Sequence, residues 1–143
     1  MENQQQQEFN WPALESNPEV FTNYMHSIGM SDQWAIGEVF GFDEDLLAFL
    51  PQPVIAVIVA IQRNKDNLEE DKSNEADSTL VPYYMKQSHV LDNACGIIAC
   101  LHSVLNKDQV QITEGSTLAK FKADAMAGTP QERCAKLEGF EEF

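Results

Sequence analysis

From residue 21 to residue 28 the apolar positions fall at Phe21, Tyr24, Met25 and Ile28, the three- and four-residue spacing of one helical face. Both ends of this run are punctuated. Asn17-Pro18-Glu19 reads as an N-cap, a proline at the first helical position and a carboxylate favourably placed on the helix dipole, and Gly29 stops the helix. A short helix is predicted after Asp43, carrying Leu46, Leu47 and Leu50 and ending at Pro51. In "DNACGIIACLHSVL", residues 92–105, Ile97, Ile98, Leu101, Val104 and Leu105 share one arc of a helical wheel. Ser116 can cap a further helix bearing Leu118, Phe121 and Ala125, with Gly128 after it. Thr129-Pro130-Gln131-Glu132 has the form of a capping box, and Gly139 closes that last helix.

The period changes at "VIAVIVAI", residues 54–61. Consecutive β-branched residues predict a strand covered on both faces in the middle of a sheet. The run is too short to span a bilayer. Its neighbours are hard to find, since the best candidate, "WAIGEVF" at 34–40, alternates only weakly. The chain reads as part of a sheet whose other strands lie elsewhere. The expected class is α/β (α+β), mostly helical with one buried central strand. "VPYYMKQ" at 81–87 looks like a short extended approach to the helix that holds Cys95. Residues 1–10 are polar and Gln-rich, read as flexible, with no signal-peptide pattern. Residues 63–79 hold nine charges and almost nothing apolar, which predicts a mobile surface loop inside a single domain of 11–143.

Composition narrows the function classes. Nine basic residues against 23 acidic ones give a formal net charge of −14, which disfavours nucleic acid and anionic membrane surfaces. A partner with a basic, partly apolar face fits that charge; so does the plain reading that the charge maintains solubility. Cys95, Cys100 and Cys134 are an odd count with no metal-type spacing, which fits reduced thiols in the cytoplasm and no metal site.

Cys95 is the one cysteine with chemistry around it. If Asn93 or Asp92 caps the helix, the free backbone N–H groups and the positive dipole end face its sulfur and favour the thiolate. Gly96 leaves room for a substrate backbone, and the Cys95 N–H can donate to an oxyanion on an attacked carbonyl. Gln87 brings a second amide a few residues upstream. A small cysteine that merely packs remains open on these residues alone. Cys100 and Cys134 read as structural or bystander thiols. A thiol hydrolase also needs a base, and the three histidines do not supply one. His102 lies two helical turns from Cys95, about 10 Å; His26 sits in the first helix, and His89 in a loop.

The segments "WPALESNPEV" (11–20), "LPQPVIAVIVAI" (50–61), "YYMKQ…NACG" (83–96), "HSVLNKD" (102–108), "EGSTLAKF" (114–121) and "TPQERCAKLEGF" (129–140) occur in order. Together they resemble the ubiquitin C-terminal hydrolases, small papain-like cysteine deubiquitinases, over about residues 11–140. The resemblance implies a papain-like fold, helices around a central sheet, and attack by a thiolate on the C-terminal glycine carbonyl of ubiquitin, with no cofactor. Cys95 matches the nucleophile and Gln87 the oxyanion-hole side chain; Asn93 and Gly96 stand where substrate approaches. The family's histidine base and its orienting aspartate lie on later strands, which should begin after Phe143, so the chain corresponds to an N-terminal part. Its partners would be ubiquitin and a C-terminal fragment carrying that histidine and aspartate. The alternative is a catalytically incomplete ubiquitin-binding or structural relative.

Two departures stand out. "SHVLD" puts five residues between Gln87 and Asn93 where the family usually has three, and two residues add about 6–7 Å of reach. They either bulge outward and leave Gln87 in place or shift it off the hole. Ile97 also stands where a small hydroxyl residue usually follows the glycine.

Overall fold

Three of the cap signals close as hydrogen bonds in the computed structural model, which describes residues 11–61 and 81–143. Asn17 Oδ1 accepts the Glu19 N–H at 2.9 Å and opens α1, Pro18–Ile28. Ser116 Oγ accepts the Ala119 N–H at 3.2 Å and opens α4, Thr117–Ala125. At α5, Pro130–Glu138, the capping box is complete. Thr129 Oγ1 accepts the Glu132 N–H, and the Glu132 carboxylate accepts the Thr129 N–H at 2.7 Å. Between them lie α2, a single turn at Glu44–Leu47, and α3, Cys95–Leu105. Asp43 precedes α2 but makes no side-chain cap, and the α2 leucines stay partly exposed.

The core forms where α1 packs on α3 and α4 on α5. Met25, Leu101, Leu118, Phe121 and Leu137 are fully buried there, joined by Tyr83, Met85 and Leu91 from the chain that leads into α3. Each such side chain contributes about 1.5–3 kcal/mol by leaving water. The predicted stripe of α3 is the buried one: Ile97, Ile98, Leu101, Val104 and Leu105 all face inward. Gly29 makes the corner after α1. Its φ of 123° suits glycine, and a Cβ there would meet Ser116 Oγ at 2.1 Å. The Gly29 carbonyl accepts the Thr113 N–H at 2.8 Å, and Met30 forms an antiparallel bridge with Ile112. This corner therefore ties the end of α1 to the cap of α4.

The expected buried strand at 54–61 does not form within the described residues. The run forms no ladder: Val57, Val59 and Ile61 are 68%, 69% and 79% exposed, and Ile55 alone packs against the core. A strand needs partners for its N–H and C=O groups. Among the described residues no segment offers them. The other candidate, 34–40, is instead fastened to α1. The Thr22 hydroxyl takes the Ile36 N–H at 2.9 Å and donates to the Ile36 carbonyl. So the described residues are mostly helical, with no sheet, and the α/β expectation is not met within them. The expectations for residues 1–10 and 63–79 lie outside the described residues. Among the described residues no helix is long and apolar enough to cross a membrane.

The Gly29 corner predicts a contrast between two glycines. Gly29→Ala should destabilise the chain by more than 1 kcal/mol, about the strain of a misplaced backbone plus a displaced cap. Gly37, with open space around its Cα, should change by less than ~0.5 kcal/mol on the same substitution. Urea denaturation of the two variants checks this.

Candidate active site

Residues 83–86 carry the burial pattern of a strand with none beside them among the described residues. Tyr83 and Met85 are buried while Tyr84 and Lys86 are exposed. Their backbone groups are satisfied by helix side chains instead. The Tyr83 N–H donates to Asn106 Oδ1 at 2.8 Å, and Asn106 Nδ2 donates to the Tyr83 carbonyl at 2.8 Å. The Met85 N–H donates to His102 Nε2 at 2.9 Å. From the other side, Arg133 of α5 donates through Nη1 to the Tyr84 carbonyl at 2.9 Å, and the Lys86 N–H reaches the Pro130 carbonyl at 3.2 Å. Arg133 is itself buried. Its remaining donors meet the Ala125 and Met126 carbonyls at the end of α4, and its guanidinium lies over the Tyr83 ring.

This clamp delivers the chain to Gln87 and the loop at 88–92. Gln87 Nε2 donates to the Leu91 carbonyl at 2.9 Å, and the same carbonyl accepts the Ala94 N–H at 3.1 Å. Leu91 is fully buried and its N–H reaches Ser88 Oγ; the Ser88 hydroxyl donates in turn to Glu138. His89 and Val90 are exposed. Residues 88–92 thus bulge outward around an inward-facing Leu91, and the Gln87 amide is bonded to the turn that enters α3.

That turn corrects the expected cap. Asn93 sits at φ 64°, left-handed backbone that an N-cap does not use, so it turns the chain and Ala94 takes the cap position. No side chain caps α3. Cys95, exposed, is its first residue, and the first-turn N–H groups have no intrahelical acceptors. Gly96 serves packing as well. A Cβ there would meet the Phe21 ring at 3.3 Å and Leu14 at 3.5 Å, so the glycine lets α1 approach α3 closely.

The other thiols are buried, two of the histidines are engaged elsewhere, and His89 is exposed. Cys100 and Cys134 are buried, and burial pushes the Cys100 thiol up to about 11. His26 Nε2 donates to the Trp34 carbonyl at 2.7 Å. His102 keeps Nε2 unprotonated to accept the Met85 N–H and stacks on the Tyr84 ring. Its burial, more than the nearby Arg133 charge, lowers its pKa from 6.5. Among the described residues no histidine hydrogen-bonds to Cys95. Asn106 and Arg133, which hold the segment before Gln87, were not singled out from sequence. A signal existed in the His102–Asn106 pair, four residues apart on an apolar helix.

The family model for "Ubiquitin carboxyl-terminal hydrolase, family 1" matches residues 11–143. The chain belongs to this family. A ubiquitin carboxyl-terminal hydrolase of Drosophila melanogaster is 37% identical over 93% of the chain, which covers 60% of that relative. A probable ubiquitin carboxyl-terminal hydrolase of Dictyostelium discoideum is 36% identical over 90% of the chain and 52% of its own length. Ubiquitin carboxyl-terminal hydrolase YUH1 of Saccharomyces cerevisiae is 40% identical over 76% of the chain and 44% of its own length. This hydrolase-family chain therefore spans 60% or less of these three relatives.

Two solution outcomes follow. Native treatment with iodoacetamide should label Cys95 first, while Cys100 and Cys134 react only after unfolding; peptide mass spectrometry reads the order. The lowered pKa of His102 gives stability that is full above pH 6.5 and is lost as pH falls from there through the folded-state value. His102→Gln should flatten that part of the stability–pH profile, measured by urea midpoints between pH 7.5 and pH 5, values set by about the free-histidine range.

Proposed function

We propose that this chain is the nucleophile-bearing part of a cysteine deubiquitinase that hydrolyses esters, amides and peptide extensions at the C-terminal glycine of ubiquitin. One observation carries the reading. Cys95 is exposed at the first position of an otherwise well-packed helix whose N-terminus no side chain caps. Family membership and the relatives' names support the substrate.

The Cys95 thiolate attacks the glycine carbonyl carbon, and the carbonyl electron pair moves onto oxygen. The Cys95 N–H donates to that oxyanion. Gln87 has a second amide hydrogen for the same task, because only one is committed to the Leu91 carbonyl. Asn93 and Gly96 flank the approach of the ubiquitin tail. Collapse of the tetrahedral intermediate expels the adduct as its leaving group takes a proton, and water then hydrolyses the thioester. The proton is managed by a histidine, oriented by an aspartate, in the length of the family that this chain does not span. That same length supplies strands to cover 54–61, completing a papain-like sheet. Three histidines engaged away from the sulfur, or exposed without a bond to it, support an external base. The acidic surface suits the apolar, basic-rimmed face of ubiquitin, and the reduced thiols suit the cytoplasm. The engaged histidines equally favour a second reading, a ubiquitin binder without catalysis.

The test is hydrolysis of a ubiquitin C-terminal amide by the chain alone and with the family's remaining length supplied. Turnover is expected only in the second case. It should vanish in Cys95→Ala and fall about 10²–10³-fold in Gln87→Ala. Full turnover by the chain alone would sink the external base, while saturable ubiquitin binding with no turnover in either case would favour the binder.

A further inference from the structure

We propose that His102 and Asn106 are positioning residues for this reaction: from successive turns of the helix that Cys95 begins, they hold the backbone at Met85 and Tyr83 and so set where the Gln87 amide stands relative to the sulfur. The inference rests on the reading of Cys95 and Gln87 given above.

The geometry is that of a short rigid linkage. Asn106 makes a two-way bond with the Tyr83 backbone and a third bond, from Nδ2 to the His102 carbonyl at 2.9 Å. His102 accepts from Met85, two residues before Gln87. Tyr83 and Met85 point inward, and Gln87, two residues on, emerges exposed with its amide turned back to the Leu91 carbonyl, so the grip on Met85 sets where that amide starts. The nucleophile and its partner amide are thereby referred to one element. Cys95 is fixed by standing on α3, and Gln87 by a chain that side chains of α3 grip. The Tyr84 ring lies on the imidazole with centroids 5.4 Å apart and 26° between planes, which restricts ring rotation. Arg133 and Pro130 press the segment from the α5 side. A strand in a sheet would be held by neighbouring strands; here the polar edge of the nucleophile helix does that work.

Catalysis is sensitive to such placement: a ~1 Å error in a catalytic group can cost about 10²-fold. The test uses the chain with the family's remaining length supplied, acting on ubiquitin with a fluorogenic C-terminal amide. His102→Phe removes the acceptor and keeps a ring for Tyr84; His102→Gln keeps an acceptor at similar reach. His102→Phe should lower kcat about 10- to 100-fold with KM changed less than about twofold, and His102→Gln should restore most of it. Combining His102→Phe with Gln87→Ala should cost no more than Gln87→Ala alone, since one acts through the other. Amide hydrogen exchange at Met85, which needs no activity, should accelerate about tenfold or more in His102→Phe and return in His102→Gln. If His102→Phe does not fold, Asn106→Ala, which frees the Tyr83 backbone but keeps the imidazole stack, takes its place in each comparison. An unchanged kcat beside a Gln87→Ala variant that loses activity overturns the positioning role and leaves the function standing. Additive losses in the double variant also overturn it. Unchanged turnover in Gln87→Ala overturns the reading of Gln87, and the inference with it.

Discussion

Among the described residues the backbone between Tyr83 and Lys86 has no strand beside it, and the site depends on how its polar groups are satisfied. A buried N–H or C=O left without a partner costs about 1–3 kcal/mol. Five of the eight backbone polar groups in these four residues are taken by side chains of α3 and α5 or by the Pro130 carbonyl. The arrangement couples distant parts of the chain. Asn106 closes the far end of α3, and Arg133 joins α4 to α5 while it grips Tyr84. Loosening either would free the approach to Gln87 without touching Cys95.

Arg133 shows how a charge can be buried in an acidic protein with no ion pair to it among the described residues. Its guanidinium spends its donors on three carbonyls, two of them at the end of α4 where the helix dipole is negative, and its face on the Tyr83 ring. Carbonyls have fixed positions, so they orient the fork more tightly than a mobile surface carboxylate would. The cost of desolvating the cation is offset by contacts that also fix α5 against the 83–86 segment. Burial raises the Tyr83 phenol to about 12, with Arg133 pulling the other way.

Local chemistry made much of the fold legible. Asn17, Ser116 and Thr129 cap the helices they were expected to cap, because a short polar side chain beside a free N–H is a local event. The apolar stripe of α3 was readable for the same reason. Two readings required knowledge of what lies around a residue. The β-branched run at 54–61 states a preference for a sheet, but preference does not supply partner strands, and the described residues offer none. Asn93 looked like a cap from its type and position. Its left-handed backbone is a property of the loop that precedes it, which residue type alone does not disclose. At the site, Cys95 and Gln87 were visible as chemistry. The clamp behind them was not, since Asn106 and Arg133 act on backbone atoms that any sequence has.

The missing cap is the point at which stability and chemistry part. A Ser, Thr or Asp cap on α3 would add about 1 kcal/mol, as caps do at α1, α4 and α5. It would also place an acceptor on the first-turn N–H groups, the donors on which the proposed reaction relies. With Ala94 at that position and Asn93 spent on the turn, those donors have no side-chain competitor. The helix keeps its place through packing instead. Phe21 and Leu14 lie against Gly96, Ile97 and Ile98 are buried, and Ala94 is held by the Leu91 carbonyl that also holds Gln87. A helix start anchored by its apolar side can leave its polar end open, and Cys95 stands at that end.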